Sequence, residues 1–331
     1  MQKLYPYLIA VWIMIFALFP AIEISVPMTE NKAIVWLWLI SAALGLYTLF
    51  FEINIFAKLT IAYLFIDCFF SSAPYLSFTL YIWMVVCAYF YALCARIENW
   101  TPVIRTLQIV ILLNLILLFM QAIGKDSLVN FGLGKNITSY GNIGNPMQFK
   151  SFFIIASTTL IALTKPKILK NKKIFKILSI ALPCAITIYL IKHNSWHYFL
   201  YARGPVWLKT LQLSMQRPFV GWGPGMYKII FPALAHGRFE AEGVWRTAHN
   251  CWLQMLFEIG IIGTSFIAGL FISFLIFLRK IDLYLFFGLI IIGLDMLAHF
   301  PTRQISCIFL MLMFVAHCDQ KIKEKNYGQP T

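Results

Sequence analysis

Long, continuous apolar runs, separated by charged or Gly- and Pro-rich breaks, constrain the fold of this 331-residue chain more than any other feature. Hydrophobic residues make up 60% of the sequence. Charged residues make up only 12%, about half of the ~25% that is typical of soluble domains. A surface with so few charges must face something other than water, so the composition excludes an ordinary soluble domain.

About ten of these runs approach the ~20 apolar residues that a helix needs to cross a bilayer. They lie at about residues 7–22, 33–51, 54–71, 76–94, 103–123, 148–164, 174–191, 250–277, 283–299 and 305–318. The sequence therefore predicts an all-α polytopic membrane protein with about ten transmembrane helices.

Basic residues predict the orientation of such a protein, because short cytoplasmic loops are enriched in Lys and Arg. Residues 165–173 contain five lysines, so we assign this break to the cytoplasm. Counting spans outward from it puts both termini in the cytoplasm and residues 192–249, between spans seven and eight, outside. The net charge of +14 is explained in this way, and we expect no nucleic-acid partner.

On this scheme the chain has three parts: an N-terminal bundle of five spans at 1–123, a second membrane unit at 124–318 that includes the outer loop, and a cytoplasmic tail at 319–331. We expect short interfacial helices in the outer loop. Residues 192–248 carry seven Lys or Arg against two Asp or Glu, a net charge of +5. Either long loops are translocated with little regard to charge, or this one binds an anion.

Arg203 and His249 are the strongest candidates for chemistry in the outer loop. Pro205 suits the first turn of a helix, which would put Arg203 beside backbone N–H groups that also favour anions. Thr247 is a fair N-cap, which would put His249 in the first turn of the next helix. The helix dipole disfavours an imidazolium there, so His249 would stay neutral and could accept a proton.

Other polar residues in this region have a structural and a functional interpretation. Asn250, Gln254 and Glu258 form a stripe that either faces a wet cavity or makes interhelical hydrogen bonds. The Gly-x-Gly-x-Gly run at 221–225 indicates a tight turn and not a dinucleotide site. Asp67 and Asp295 are functional carboxylates or members of a structural ion pair. The histidines lack the spacing and carboxylate partner of a metal site, so we expect no metal and no cofactor.

Four segments carry a resemblance to a known family over about residues 140–280. They are Gly141-Asn-Ile-Gly-Asn145-Pro146, Arg203-Gly-Pro-x-Trp207, Arg217-Pro-Phe-x-Gly-x-Gly-Pro-Gly225 and His249-Asn250-x-x-Leu-Gln254-x-x-x-Glu258-x-Gly260-x-x-Gly263. In this order the segments resemble the O-antigen ligase and O-antigen polymerase family of bacterial inner-membrane glycosyltransferases.

The resemblance implies a metal-independent transfer at the outer face of the inner membrane. A glycan on undecaprenyl diphosphate would pass to a hydroxyl of a lipid-linked or lipopolysaccharide-linked sugar. Arg203 matches a diphosphate-binding arginine and His249 matches a residue linked to acceptor activation, whereas Arg217 and Arg246 are weaker matches for diphosphate binding. Direct displacement of the diphosphate would invert the anomeric centre.

Two alternatives stay open at this stage. Within the family, a ligase and a repeat-unit polymerase differ in their acceptor, which the sequence does not identify. Outside it, a transporter or flippase of lipid-linked sugars would share a basic cavity but would need no base. Transporters often contain two repeated halves, and the sequence shows no such repeat.

Overall fold

The computed structural model describes residues 6–7, 9–11, 55–122, 146–165, 195–235, 245–299, 301–303 and 305–327. Within these ranges the regular structure is helical and no strand occurs, so the all-α part of the predicted fold class is confirmed for them. The helices are α1 (Ile55–Phe70), α2 (Pro74–Cys94), α3 (Thr101–Ala122), α4 (Pro146–Thr164), α5 (Ser195–Ser214), α6 (Tyr227–Leu234), α7 (Cys251–Ile281), α8 (Leu283–Ala298) and α9 (Ile305–Tyr327).

The prediction of about ten transmembrane helices is wrong. Only α7, with 31 residues, is long and apolar enough to cross a membrane among the described residues. Shorter apolar stretches occur at Thr101–Ile116, Lys150–Thr164 and Leu283–Leu297. Apolar composition inflated the predicted number, because crossing a bilayer requires apolar character that is maintained over about 20 residues of one helix. The predicted spans at 33–51 and 174–191 lie outside the described residues.

The long helix α7 is the element that the buried clusters share. The largest cluster joins Phe274 and Leu278 of α7 to side chains of α2, α3, α4, α8 and α9. A second cluster joins Phe257 to α5 and α6, and a third joins Ile259 to α1 and α2. Helices that are distant in sequence are therefore held together by contacts with α7.

The helix α7 is interrupted at Gly260, which has non-helical backbone angles of φ 62° and ψ −172°. A break in a helix removes the intrahelical partners of the carbonyl groups before it and of the N–H groups after it. Buried backbone groups without partners are costly, so another segment must supply donors and acceptors here.

Residues 217–225, which we name the glycine loop, supply most of these partners. The N–H groups of Trp222 and Gly223 donate to the carbonyls of Phe257 and Glu258, at 3.0 and 2.8 Å. In the opposite direction, the N–H of Ile261 donates to the carbonyl of Pro218 at 2.8 Å. The loop therefore replaces a missing turn of α7.

A second contact completes the repair of the break. The N–H of Ile262 donates to the carbonyl of Phe219 at 3.3 Å. The carbonyl of Ile259 accepts a hydrogen bond of 2.9 Å from the Tyr63 hydroxyl of α1. The break is thus bonded on one side to the glycine loop and on the other to α1.

The approach of the two backbones explains why glycine occupies this loop. Gly221 has φ +68°, and a Cβ at this position would lie 2.6 Å from the carbonyl carbon and oxygen of Glu258. Gly260 has φ +62°, and its Cβ would lie 2.2 Å from the carbonyl oxygen of Phe219. The predicted tight turn is present; its Gly221 faces α7, whereas a Cβ on Gly223 or Gly225 would meet Ser71 or Leu80.

The polar end of the chain, within the predicted cytoplasmic tail at 319–331, is helical as far as Tyr327, where α9 ends. Gln320 donates to the carbonyls of Ala95 and Ile97, at 3.0 and 2.9 Å, and accepts from the Trp100 indole at 3.1 Å. These bonds hold the end of α9 against the segment between α2 and α3.

We predict that Gly221→Ala strongly destabilises the fold. The added methyl group must displace the backbone of α7, and the alanine backbone must adopt a left-handed conformation. The combined cost is about 3 kcal/mol or more. The thermal unfolding midpoint of the purified protein in detergent should fall by several degrees.

Gly204→Ala is the matched control. Gly204 lies inside α5, and its added Cβ would have no atom within 4 Å. Alanine is preferred over glycine in a helix by up to about 1 kcal/mol, so this variant should unfold at the same or a higher temperature. Equal unfolding temperatures for the two variants would contradict the role assigned to the glycine loop.

Candidate functional site

Arg203 lies inside α5 and is buried, with 7% of its surface exposed. We expected it just before a helix that begins at Pro205, but the helix begins ten residues earlier, at Ser195. Proline has no N–H, so Pro205 cannot bond to the carbonyl of Tyr201 one turn before it. The helix continues through this defect, and Arg203 sits at it.

A hydrogen bond brings the segment before α7 against the same part of α5. The Trp207 indole donates to the carbonyl of Ala248 at 2.8 Å. Trp207 is one turn beyond Arg203, so the two residues share a face of α5. Val206 and Ala248 are fully buried in one cluster. Arg203 and His249 therefore belong to the same end of the molecule.

His249 lies outside the helix, so its expected place in the first turn is wrong. The N-cap is Asn250, whose side chain accepts a hydrogen bond from the Leu253 N–H at 3.1 Å. Asparagine is a stronger N-cap than threonine, which explains why the helix starts three residues later than Thr247 would allow. His249 is therefore not in the helical turn where the helix dipole was expected to keep its imidazole neutral.

The backbone of His249 adopts a left-handed conformation, with φ +51°. This conformation costs a residue with a Cβ about 1–2 kcal/mol and persists only where the surroundings impose it. The Trp245 ring packs edge-on against the imidazole, with ring centres 5.6 Å apart. His249 as a residue is half-buried, and its Nδ1 atom is buried.

The polar stripe on α7 makes hydrogen bonds that hold the glycine loop and the start of α6. Glu258 accepts from the N–H of Gly225 at 2.9 Å and from that of Tyr227 at 3.3 Å. It also accepts from the Gln254 side chain at 3.0 Å, and Gln254 in turn accepts from the N–H of Ala248 at 3.4 Å. The stripe therefore links the glycine loop to the segment that carries His249.

Of the other two candidate arginines, Arg217 lies away from Arg203. Arg217 donates to the carbonyl of Phe70 and to the Ser72 hydroxyl, at 3.4 and 3.3 Å, and covers the Trp222 ring at 4.8 Å. At a rise of about 1.5 Å per residue, Arg203 lies roughly 16 Å along the axis from the end of α5 that precedes Arg217. Arg246 is exposed, three residues before His249.

The sequence interpretation missed a second histidine at this end of the molecule. The Cys251 sulfur, at the start of α7, lies 3.6 Å from the His299 carbonyl oxygen and 3.2 Å from the Thr302 hydroxyl. The His299 ring contacts Asp295, four residues earlier, with 2.5 Å between Nδ1 and Oδ1. The i,i+4 spacing of an aspartate and a histidine was the readable signal for this pair.

Asp67, the other carboxylate that the sequence singles out, lies on α1, the helix whose Tyr63 bonds to α7 at the break. Its side chain is buried, and its Oδ1 is 3.4 Å from the Tyr63 hydroxyl. The described residues contain no group of three or more His, Cys, Asp or Glu side chains that could hold a metal ion.

Comparison of the chain with protein-family models, curated proteins and solved structures finds no match. Arguments about function therefore rest on the motifs and on the geometry of residues 195–303.

We predict that Glu258→Gln destabilises the protein. The amide keeps one acceptor oxygen but turns an NH₂ group toward backbone donors, which should cost about 1–3 kcal/mol. Thermal unfolding of the purified variant would measure this loss.

Glu324→Gln is the control for this substitution. Glu324 forms an i,i+3 ion pair with Lys321 near the end of α9, where its side chain is 37% exposed. Exposed pairs of this kind contribute about 0–1 kcal/mol, so the unfolding temperature should barely change. If both variants unfold alike, Glu258 does not hold the glycine loop.

Proposed function

We propose that this chain is a membrane glycosyltransferase. It would move a glycan from an undecaprenyl diphosphate carrier to a sugar hydroxyl at the outer face of the bacterial inner membrane. The observation that carries the proposal is the placement of a buried arginine and a strained histidine at one end of the molecule, connected through the Trp207–Ala248 hydrogen bond. The four motif segments that resemble the O-antigen ligase and polymerase family support the same reaction.

Arg203 would stabilise the leaving group. Breaking the glycosyl–phosphate bond leaves additional negative charge on the lipid diphosphate. A guanidinium stays charged and donates two parallel hydrogen bonds to phosphate oxygens, which lysine cannot do. Burial strengthens this interaction because the surroundings screen charge less than water does. Arg246, exposed near His249, can contact a more distant part of the donor.

His249 would act on the acceptor. Its imidazole would bind and orient the acceptor hydroxyl while the oxygen attacks the anomeric carbon. The bond to the diphosphate oxygen then breaks on the opposite face of the sugar, and the configuration inverts. The hydroxyl proton leaves to a base, a step that contributes about 10²–10⁴-fold to such reactions. No metal is needed for this sequence of bond changes.

The main alternative is transport of the lipid-linked sugar. Transporters use broken helices whose free carbonyl and N–H groups bind the substrate. In α7 the groups at the break are bonded to the glycine loop and to Tyr63. This occupancy favours the transferase over the transporter. Ligase and polymerase share the chemistry above and differ only in the acceptor.

We predict that Arg203→Lys reduces glycan transfer about 10- to 100-fold, because the point charge of lysine loses the bidentate contact. The assay is product formation by purified protein with a lipid-linked donor, which a transporter would not give. Arg105→Lys, on the exposed side of α3, is the matched control and should transfer normally. Normal transfer by Arg203→Lys would remove Arg203 from the mechanism.

We also predict that His249→Gly separates stability from activity. Glycine adopts φ +51° without strain, so the unfolding temperature should stay the same or rise. Transfer at low acceptor concentration should nevertheless fall about 10- to 100-fold, because a hydrogen bond to the acceptor is lost. A stable variant with full transfer would exclude a role for this imidazole.

A further inference from the structure

The Asp295–His299 pair has the arrangement of an oriented base. His299 Nδ1 lies 2.5 Å from Asp295 Oδ1, and the carboxylate side chain is 1% exposed. The imidazole keeps 18% of its surface exposed. A carboxylate on one ring nitrogen fixes the tautomer and leaves the other nitrogen free to accept a proton. The buried carboxylate therefore suits an orienting group, and the partly exposed imidazole suits a base.

Two further features suit His299 to this role. It is the C-cap of α8, and its N–H donates to the carbonyl of Asp295 at 2.8 Å. The imidazole thus belongs to the residue that ends α8 and is in contact with Asp295. Asp295 Oδ2 has no hydrogen-bond partner among the described residues, so within them the carboxylate serves His299 alone.

The pair also lies at the candidate site. The His299 carbonyl oxygen is 3.6 Å from the sulfur of Cys251, which is two residues after His249. Two residues of extended chain span at most about 7 Å. The backbone of His299 therefore lies near the segment that carries His249.

We propose that His299, oriented by Asp295, is the base that takes the proton of the acceptor hydroxyl. This inference rests on the proposed function and refines it. As the hydroxyl oxygen bonds to the anomeric carbon, its proton moves to the free nitrogen of His299, and the diphosphate leaves with the electron pair of the broken bond. His299 later releases the proton to water. His249 binds and orients the acceptor, and Asp295 is a positioning residue.

The test is chemical rescue of two variants in the product-formation assay. His299→Ala should lower kcat about 10²- to 10⁴-fold with little change in the acceptor KM, and added imidazole should restore part of the rate. His249→Gly should mainly raise the acceptor KM and should not respond to imidazole. Full activity of His299→Ala, or rescue of His249→Gly alone, would overturn the assignment of the base.

Asp295 variants keep the test decisive if His299→Ala does not fold. Asp295→Asn should hold the ring but favour the wrong tautomer, so kcat should fall while the unfolding temperature stays close to that of the wild type. Asp295→Glu should recover part of the rate. Unchanged kcat in a folded Asp295→Asn protein would show that the pair is structural. Absence of transfer by the wild-type protein would instead refute the proposed function itself.

Discussion

The insertion of the glycine loop into the break of α7 is the interaction on which the rest of the structure depends. Three carbonyls, of residues 257–259, and two N–H groups, of residues 261 and 262, bond to groups outside α7 where Gly260 leaves the helical conformation. The loop and Tyr63 satisfy all five. Because buried backbone groups without partners cost about 1–3 kcal/mol each, neither the break nor the loop would be stable without the other.

This dependence gives the glycine loop a structural role and sets it apart from the residues considered for chemistry. The Gly-x-Gly-x-Gly run looks like a ligand-binding loop in sequence, yet its N–H groups at Trp222, Gly223 and Gly225 bond to α7. Arg217 is likewise engaged with the junction between α1 and α2. The candidate site residues Arg203 and His249 lie apart from this loop, near the start of α7.

The sequence predicted local relations well and overall architecture poorly. The spacing of Asn250, Gln254 and Glu258 predicted that they share a face of one helix, and their side chains cap α7, bond to each other within it and hold the N–H groups of Gly225 and Tyr227. The number of membrane-spanning helices was overpredicted, since composition does not reveal how long each helix is. The Asp295–His299 pair was missed because histidines were compared with metal-site spacings and not with nearby carboxylates.

The strain at His249 follows from what holds its two neighbours. Ala248 is fixed by the Trp207 indole, and Asn250 is fixed as the N-cap of α7. With both flanking residues bonded, the chain must turn sharply at one position, and φ +51° is the result. Two hydrogen bonds of about 1 kcal/mol each offset a left-handed residue that costs about 1–2 kcal/mol. Glycine would adopt this conformation without strain, so the strain is the cost of placing an imidazole at this turn.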